Sequence, residues 1–196
     1  MEIHTKKELR DVLNHERKRW KLPIINNWFG WLKTDMLLLL HPGSPYLFMY
    51  CLRHVEYYKN RFLGGKLLYY FYWYRLRKLQ NITGIDMYPG VAEKGVKINH
   101  GKCVISRSAH LGMDCEILSD VTLGGIGGKR DYLGAPQLGN RVLVCSGAKI
   151  IGPVHIVDGV VIGANSVVVK DINEVGTYVG APVRKISDKG SEEYIR

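Results

Sequence analysis

The chain has 196 residues, of which 46% are hydrophobic and 23% charged, a composition typical of a globular protein with a proper core. Its formal net charge is +10, and the excess lies in residues 1–90, which contain 15 Lys and Arg against 7 Asp and Glu. The longest apolar run, 67–74, is far shorter than a membrane span, and the first residues lack the apolar core of a signal peptide, so we expect a cytoplasmic protein with reduced cysteines.

Residues 1–83 are predicted to form a helical N-terminal region. Thr5 followed by Glu8 has the pattern of a capping box and predicts a helix that continues to about Trp20. The aromatic-rich last segment has β-propensity as well, but its length and its flanking basic residues favour a helix. The further predicted helices cover residues 25–40, 45–60 and 66–80.

The basic residues are densest at 17–21 and 75–78. No recognised nucleic-acid module accompanies this charge, so we expect no nucleic-acid partner. Attraction to anionic lipid headgroups, at the inner face of the membrane, or to a phosphorylated sugar carrier fits the charge better. A solvated basic face on a helical cap is the simplest alternative.

From residue 84 onward, apolar residues recur every six positions. A helix repeats near 3.6 residues and a single strand at 2, so a sustained period of six indicates the hexapeptide repeat of a parallel β-helix rather than a β-sandwich with chance spacing. Three hexads form one triangular coil of about 18 residues. We therefore predict that apolar residues 18 positions apart stack on each other, as in the pairs Leu138–Ile156, Val144–Ile162 and Ile150–Val168.

Two irregularities interrupt the repeat. The glycine-rich segment 124–137 separates two registers of the hexad and predicts an extruded loop, a usual place for functional residues. Ile98 lies one residue out of the register set by Ile105, and a bulge there would re-aim the neighbouring His100. We expect the β-helix to end near residue 187 and residues 188–196 to form a tail.

Five motifs in residues 84–187 resemble those of the left-handed β-helix acyltransferases, in particular serine acetyltransferases and their relatives that O-acetylate saccharides. They are Asn99-His100-Gly101, Val121–Gly125, Ser146–Ile150, Gly163–Val168 and Val179–Pro182. The resemblance implies a mainly β fold, a left-handed parallel β-helix with an N-terminal helical region. It also implies acetyl transfer from acetyl-CoA to a hydroxyl, a homotrimer with shared sites, and no metal or redox cofactor.

The same resemblance assigns the catalytic residues. His100 matches the histidine that removes the hydroxyl proton, a task suited to an imidazole near neutral pH. Asp86 matches the carboxylate that orients this histidine, although the gap between the two is one residue shorter than in the family.

Further positions match the residues that bind the coenzyme. Gly125, Ser146 and Ala164 correspond to the residues that line the pantetheine slot between neighbouring subunits. Arg184 corresponds to the basic residue near the CoA nucleotide, and Lys185 is expected to share that role.

Two departures from the family pattern bear on the acceptor. Serine acetyltransferases carry a second aspartate–histidine pair, and the matching positions here are Asn99 and Ala135. We therefore expect a saccharide hydroxyl as acceptor, in polysaccharide biosynthesis. The alternatives are a serine O-acetyltransferase or a non-catalytic β-helix that serves as a scaffold or binding protein. A metal site of the carbonic anhydrase type is disfavoured because His100 and His110 have no clear third partner.

Overall fold

The computed structural model describes residues 1–22, 44–59, 61, 63–126 and 134–195. In this part of the chain, three helices precede a series of short strands: α1 (Lys6–Arg19), α2 (Pro45–Tyr58) and α3 (Leu63–Thr83). The helix predicted at 25–40 and the centre of the loop predicted at 124–137 lie outside the described residues.

The helices that can be compared agree with the sequence. The Thr5 side-chain oxygen accepts a hydrogen bond from the Glu8 amide at 3.1 Å, and the Glu8 carboxylate accepts one from the Thr5 amide at 3.3 Å, so the predicted capping box starts α1. The aromatic segment forms a helix of 21 residues, so the strand interpretation of this segment is wrong.

Strands β1 to β14 follow in chain order and are two to four residues long. They are Ile85–Asp86, Lys97–Ile98, Cys103–Ile105, His110–Leu111, Glu116–Ile117, Thr122–Gly124, Gln137–Leu138, Leu143–Val144, Lys149–Ile151, His155–Ile156, Val161–Ile162, Val167–Val168, Thr177–Val179 and Arg184–Ser187. A 3-10 turn at Ser191–Glu193 follows the last strand, and Ile195 after it packs on Leu143 and Val161.

The strands form the three faces of a triangular prism. Face 1 contains β1, β3, β6, β9 and β12, face 2 contains β4, β7 and β10, and face 3 contains β2, β5, β8, β11, β13 and β14. All pairs are parallel except β13–β14. The left-handed parallel β-helix with an N-terminal helical region is confirmed.

The predicted stacking is also confirmed. Leu138 pairs with Ile156, Val144 with Ile162, and Ile150 with Val168. The two registers of the hexad meet where Leu111 pairs with Leu138, 27 positions away. The chain between these two residues is therefore nine residues longer than a regular coil of 18. The stacked side chains are buried in a continuous apolar interior, where burying each Leu, Ile or Val stabilises the fold by roughly 1.5–3 kcal/mol.

A buried ion-pair network fixes the helices to the first coil. The Arg53 guanidinium on α2 donates to Glu16 on α1 at 2.7 Å and to Glu56 at 2.9 Å. It also donates to the backbone carbonyls of Ala92 and Glu93 at 2.9 and 2.7 Å. One side chain, fully excluded from solvent, therefore connects two helices and the β-helix.

His54 makes the stability of this helical region depend on pH. Its ring stacks on Tyr72 at 4.3 Å, and burial lowers its pKa to about 4. The unfolded chain takes up a proton near the ordinary pKa of 6.5, whereas the folded chain does so only near 4, so stability is lost as pH falls through that window. We expect a loss on the order of 3 kcal/mol between these pH values.

Urea unfolding at several pH values tests this expectation in the wild type and in His54→Phe, which keeps an aromatic ring. The pH dependence should flatten in His54→Phe and persist in His155→Gln, where the exposed ring is the control. The acid loss of stability would have another source if it stayed unchanged in His54→Phe. Burial raises the pKa of Glu16, so its protonation changes stability with pH in the sense opposite to that of His54. Because Glu16 is present in all three proteins, this contribution cancels when they are compared.

None of the described helices is long and apolar enough to cross a bilayer.

Candidate active site

The one-residue register shift predicted at Ile98 is a bulge in the backbone. Ile98 pairs with Ile117, 19 positions away, whereas Ile105 pairs with Leu123 at the regular 18. The extra residue is accommodated at positions 100–102, where three successive residues adopt φ values of 67°, 70° and 51°. Left-handed backbone is uncommon for residues other than glycine and often marks a functional position.

The bulge is held by backbone contacts on both sides. The Lys102 amide donates to the carbonyl of Thr83, the last residue of α3, at 2.8 Å, and the Lys102 carbonyl accepts from Asp120 at 2.7 Å. The His100 side chain is exposed, at the edge where face 3 turns into face 1. A rigid backbone therefore presents an accessible imidazole to the outside of the prism.

Two of the predicted coenzyme positions lie along the same edge. Ser119, Ser146, Ala164 and Gly180 occupy successive coils after His100, and we call this row the His100 edge. It is joined by backbone hydrogen bonds of 2.9 Å from Gly147 to Ser119 and from Asn165 to Ser146. At about 4.8 Å per coil, the row extends for about 19 Å. The side chains along it are small.

Gly125 lies on a different edge of the prism. It follows β6, a strand roughly 10 Å long that crosses face 1 away from the His100 edge. There the amide of Ile126 donates to the carbonyl of Gly134 at 3.2 Å and closes the base of the loop. One chain therefore places Gly125 and Ser146 on two different edges of the prism.

The two predicted nucleotide-binding residues differ in availability. Lys185 forms ion pairs with Asp188 at 2.8 Å and Glu174 at 3.1 Å, and the hydrogen bonds to Asp188 and then to Glu174 raise the pKa of the Lys185 ammonium. Arg184 is exposed and begins β14 next to the corner formed by residues 180–183. Arg184 is thus the freer cation at the far end of the His100 edge.

Asp86 is on face 1, where it pairs with Val104. Within the described residues, its carboxylate makes no hydrogen bond or ion pair with His100, which follows on the bulge after β2. Asp86 is nonetheless close to Cys103, which follows the bulge. The burial of Cys103 and, to a lesser extent, the negative charge of Asp86 raise the pKa of the Cys103 thiol to about 12. Its orienting role remains a prediction.

Glu116 lies beside a predicted site position, a contact that the sequence did not indicate. The side-chain amide of Asn99 donates to its carboxylate at 2.5 Å, and Lys97 and Arg19 lie 3.6 and 3.7 Å from it. A carboxylate therefore stands beside position 99 although the residue there is an amide. Ala135, the other departure from the family pattern, is buried and offers no polar side chain.

Gly101 allows a direct test of the bulge. A methyl group on this glycine would stand 2.2 Å from the carbonyl oxygen of Thr83, so Gly101→Ala must displace the backbone next to His100. Because a shift of about 1 Å in a catalytic group can cost about 10²-fold, we expect a loss of that order in kcat. Gly90→Ala is the matched control, since Gly90 has φ of 94° but open space around it. Equal rates for the two variants would contradict the positioning role.

An imidazole on a strained bulge, at the head of a row of small residues on a left-handed β-helix, defines the class of the β-helix acyltransferases. No family model matches the chain. It is 41% identical over 157 residues to a serine acetyltransferase of Helicobacter pylori, covering 77% of this chain and 85% of that protein. It is 37% identical to that of Synechococcus elongatus, covering 79% and 61%. The chain belongs to the serine acetyltransferase family and is an acetyl-CoA-dependent acyltransferase.

Solved structures agree on the fold. The serine acetyltransferase of Neisseria gonorrhoeae superposes with a TM-score of 0.67 at 23% identity, over 93% of this chain and 68% of that one. The soybean enzyme in complex with serine gives 0.58 at 28% identity, over 72% and 58%.

These relatives correct one prediction. A saccharide acceptor in polysaccharide biosynthesis is wrong, because the relatives that match at 37–41% identity are serine acetyltransferases. The saccharide prediction rested on Asn99 and Ala135, each considered without its neighbours in the fold. At position 99 the carboxylate missing from the residue itself is present on Glu116, one coil further on.

Proposed function

We propose that this chain transfers the acetyl group of acetyl-CoA to the hydroxyl of L-serine. The identity of 41% to a serine acetyltransferase, over 85% of that protein, supports this function most strongly. The exposed imidazole at the head of the His100 edge supplies the base that the reaction needs.

His100 acts as the general base. The ring takes the hydroxyl proton while the serine oxygen forms a bond to the thioester carbonyl carbon. The C–S bond then breaks, and the proton passes from the imidazolium to the departing CoA thiolate. Asp86 orients the ring in the assembled site, as base-orienting carboxylates do.

Asn99 and Glu116 are compatible with serine as the acceptor. An ammonium group needs hydrogen-bond acceptors, and an amide oxygen is one. The side-chain nitrogen of Asn99 donates to Glu116, and its oxygen is the atom that can accept from the ammonium group. The Glu116 carboxylate adds negative charge beside it, partly balanced by Lys97 and Arg19.

The coenzyme extends along the His100 edge, with its pantetheine against Ser146 and Ala164 and its nucleotide near Arg184. Gly125 completes the slot from a neighbouring subunit, because within one chain it is on another edge of the prism. We propose the homotrimer that the family resemblance implies, with one such slot at each of its three subunit contacts. Analytical ultracentrifugation of the purified protein should then give three times the chain mass of 22.3 kDa.

An acceptor panel tests the function. The purified chain with acetyl-CoA should release CoA thiol in the presence of L-serine, with O-acetylserine identified by mass spectrometry. A sugar nucleotide, a lipid-linked sugar and no acceptor should give only background hydrolysis. Thiol release with a sugar and none with L-serine would overturn the proposal.

A further inference from the structure

The outward side of α3 carries an exposed apolar stripe. Leu67, Tyr70, Phe71, Tyr74 and Ile82 follow each other at helical spacing, and their exposed fractions run from 50% at Phe71 to 76% at Leu67. From Leu67 to Ile82 the stripe extends for about 22 Å at 1.5 Å per residue. Several large exposed apolar side chains on one side of a helix are typical of an interaction site.

The inward side of the same helix packs against the rest of the protein. Leu76 and Leu79 are buried, and Tyr72 stacks on His54 at 4.3 Å and on Tyr58 at 5.9 Å. The C-terminal end at Thr83 is fixed by the amide of Lys102. The helix is therefore held rigidly by its inner face, and the stripe is available without any rearrangement of the fold.

The charges on the helix that carries the stripe all have one sign. The 21 residues of α3 include Lys66, Arg75, Arg77 and Lys78 and no aspartate or glutamate. Two of these cations lie over stripe rings, Arg75 over Phe71 at 5.8 Å and Lys78 over Tyr74 at 4.8 Å. Apolar and aromatic side chains are thus bordered directly by positive charge.

We propose that the α3 stripe docks on an anionic lipid surface. Aromatic and aliphatic side chains that enter the headgroup region, bordered by Lys and Arg that attract anionic lipids, are the features of a helix lying in the membrane interface. A second copy of α3 fits less well, because it would present the same all-positive face and bring like charges together. This docking does not depend on the identity of the acyl acceptor.

Vesicle sedimentation tests the proposal with the full chain. Wild type should pellet with vesicles of phosphatidylcholine containing roughly one third phosphatidylglycerol at low salt. It should pellet much less with pure phosphatidylcholine or at high salt, which screens the attraction. The triple variant Leu67→Ser, Phe71→Ser, Tyr74→Ser should lower the bound fraction at least ten-fold.

Matched variants separate the stripe from general effects. Val169→Ser, Val175→Ser and Ile186→Ser remove three exposed apolar residues from the β-helix and should leave binding unchanged. Replacing Lys66, Arg77 and Lys78 by Gln should weaken binding far more than replacing Lys6, Lys7 and Arg10, which removes the same charge from α1. Equal losses in the members of either pair, or no binding of wild type to anionic vesicles, would overturn the proposal. So would a stripe variant that changes the oligomeric mass and leaves vesicle binding intact, since the occupant would then be a second copy.

Discussion

His100→Asn should reduce acetyl transfer by about 10²- to 10⁴-fold in kcat, the usual contribution of a general base. Asparagine is the informative replacement because position 100 has φ of 67°, and asparagine tolerates the left-handed backbone better than alanine does. The bulge is then preserved while the proton acceptor is lost. Thiol release under saturating acetyl-CoA and serine measures the effect.

The controls distinguish catalysis from folding and binding. His155→Asn makes the same substitution at an exposed position on face 2 and should retain the wild-type rate. CoA affinity of His100→Asn, measured by calorimetry, should stay within a few-fold of wild type, because the row from Ser146 to Ala164 is untouched. If His100→Asn turned over at a rate near that of wild type, a different group would have to remove the hydroxyl proton.

The fold could be predicted because its determinants are local and periodic. An apolar residue at every sixth position leaves one arrangement that buries them all, and the register of the coils follows from the numbering alone. The bulge at positions 100–102 was visible for the same reason, as a break of one residue in a regular count. The capping box of α1 depends on two residues three positions apart and can be predicted from the sequence in the same way.

The site was predictable only in part, because it depends on contacts between coils and between edges. Glu116 reaches Asn99 across neighbouring strands, 17 positions apart in the chain, and no local motif signals that contact. Motif matching placed Gly125 and Ser146 in one slot, but it could not show that a single chain separates them. The predicted saccharide acceptor is wrong for a related reason, since the loss of a side chain at one position says nothing about what a neighbouring coil supplies.

Arg53→Met should lower the free energy of unfolding by about 3–5 kcal/mol, the usual cost of removing one partner from a buried ion pair. Arg53 and Glu16 are fully buried and Glu56 is 3% exposed, so the variant leaves two carboxylates in the core without their cation. The carbonyls of Ala92 and Glu93 lose their donors as well. Urea unfolding measures the change, with the exposed Arg107→Met as a control expected to cost less than about 1 kcal/mol.

The pH dependence of that loss identifies its cause. Burial already raises the pKa of Glu16 in the wild type, against the opposing attraction of Arg53, and removal of the cation should raise it further. A carboxyl whose folded-state pKa lies above its unfolded value stabilises the fold below the unfolded pKa and loses that contribution as pH rises. The deficit of Arg53→Met should therefore be smaller at about pH 5 than at about pH 7.5. Glu16→Gln, which keeps an acceptor for Arg53 and leaves it paired with Glu56, should cost less than Arg53→Met at both pH values. A deficit independent of pH would mean that Arg53 acts through its packing and its backbone hydrogen bonds rather than through the buried charges.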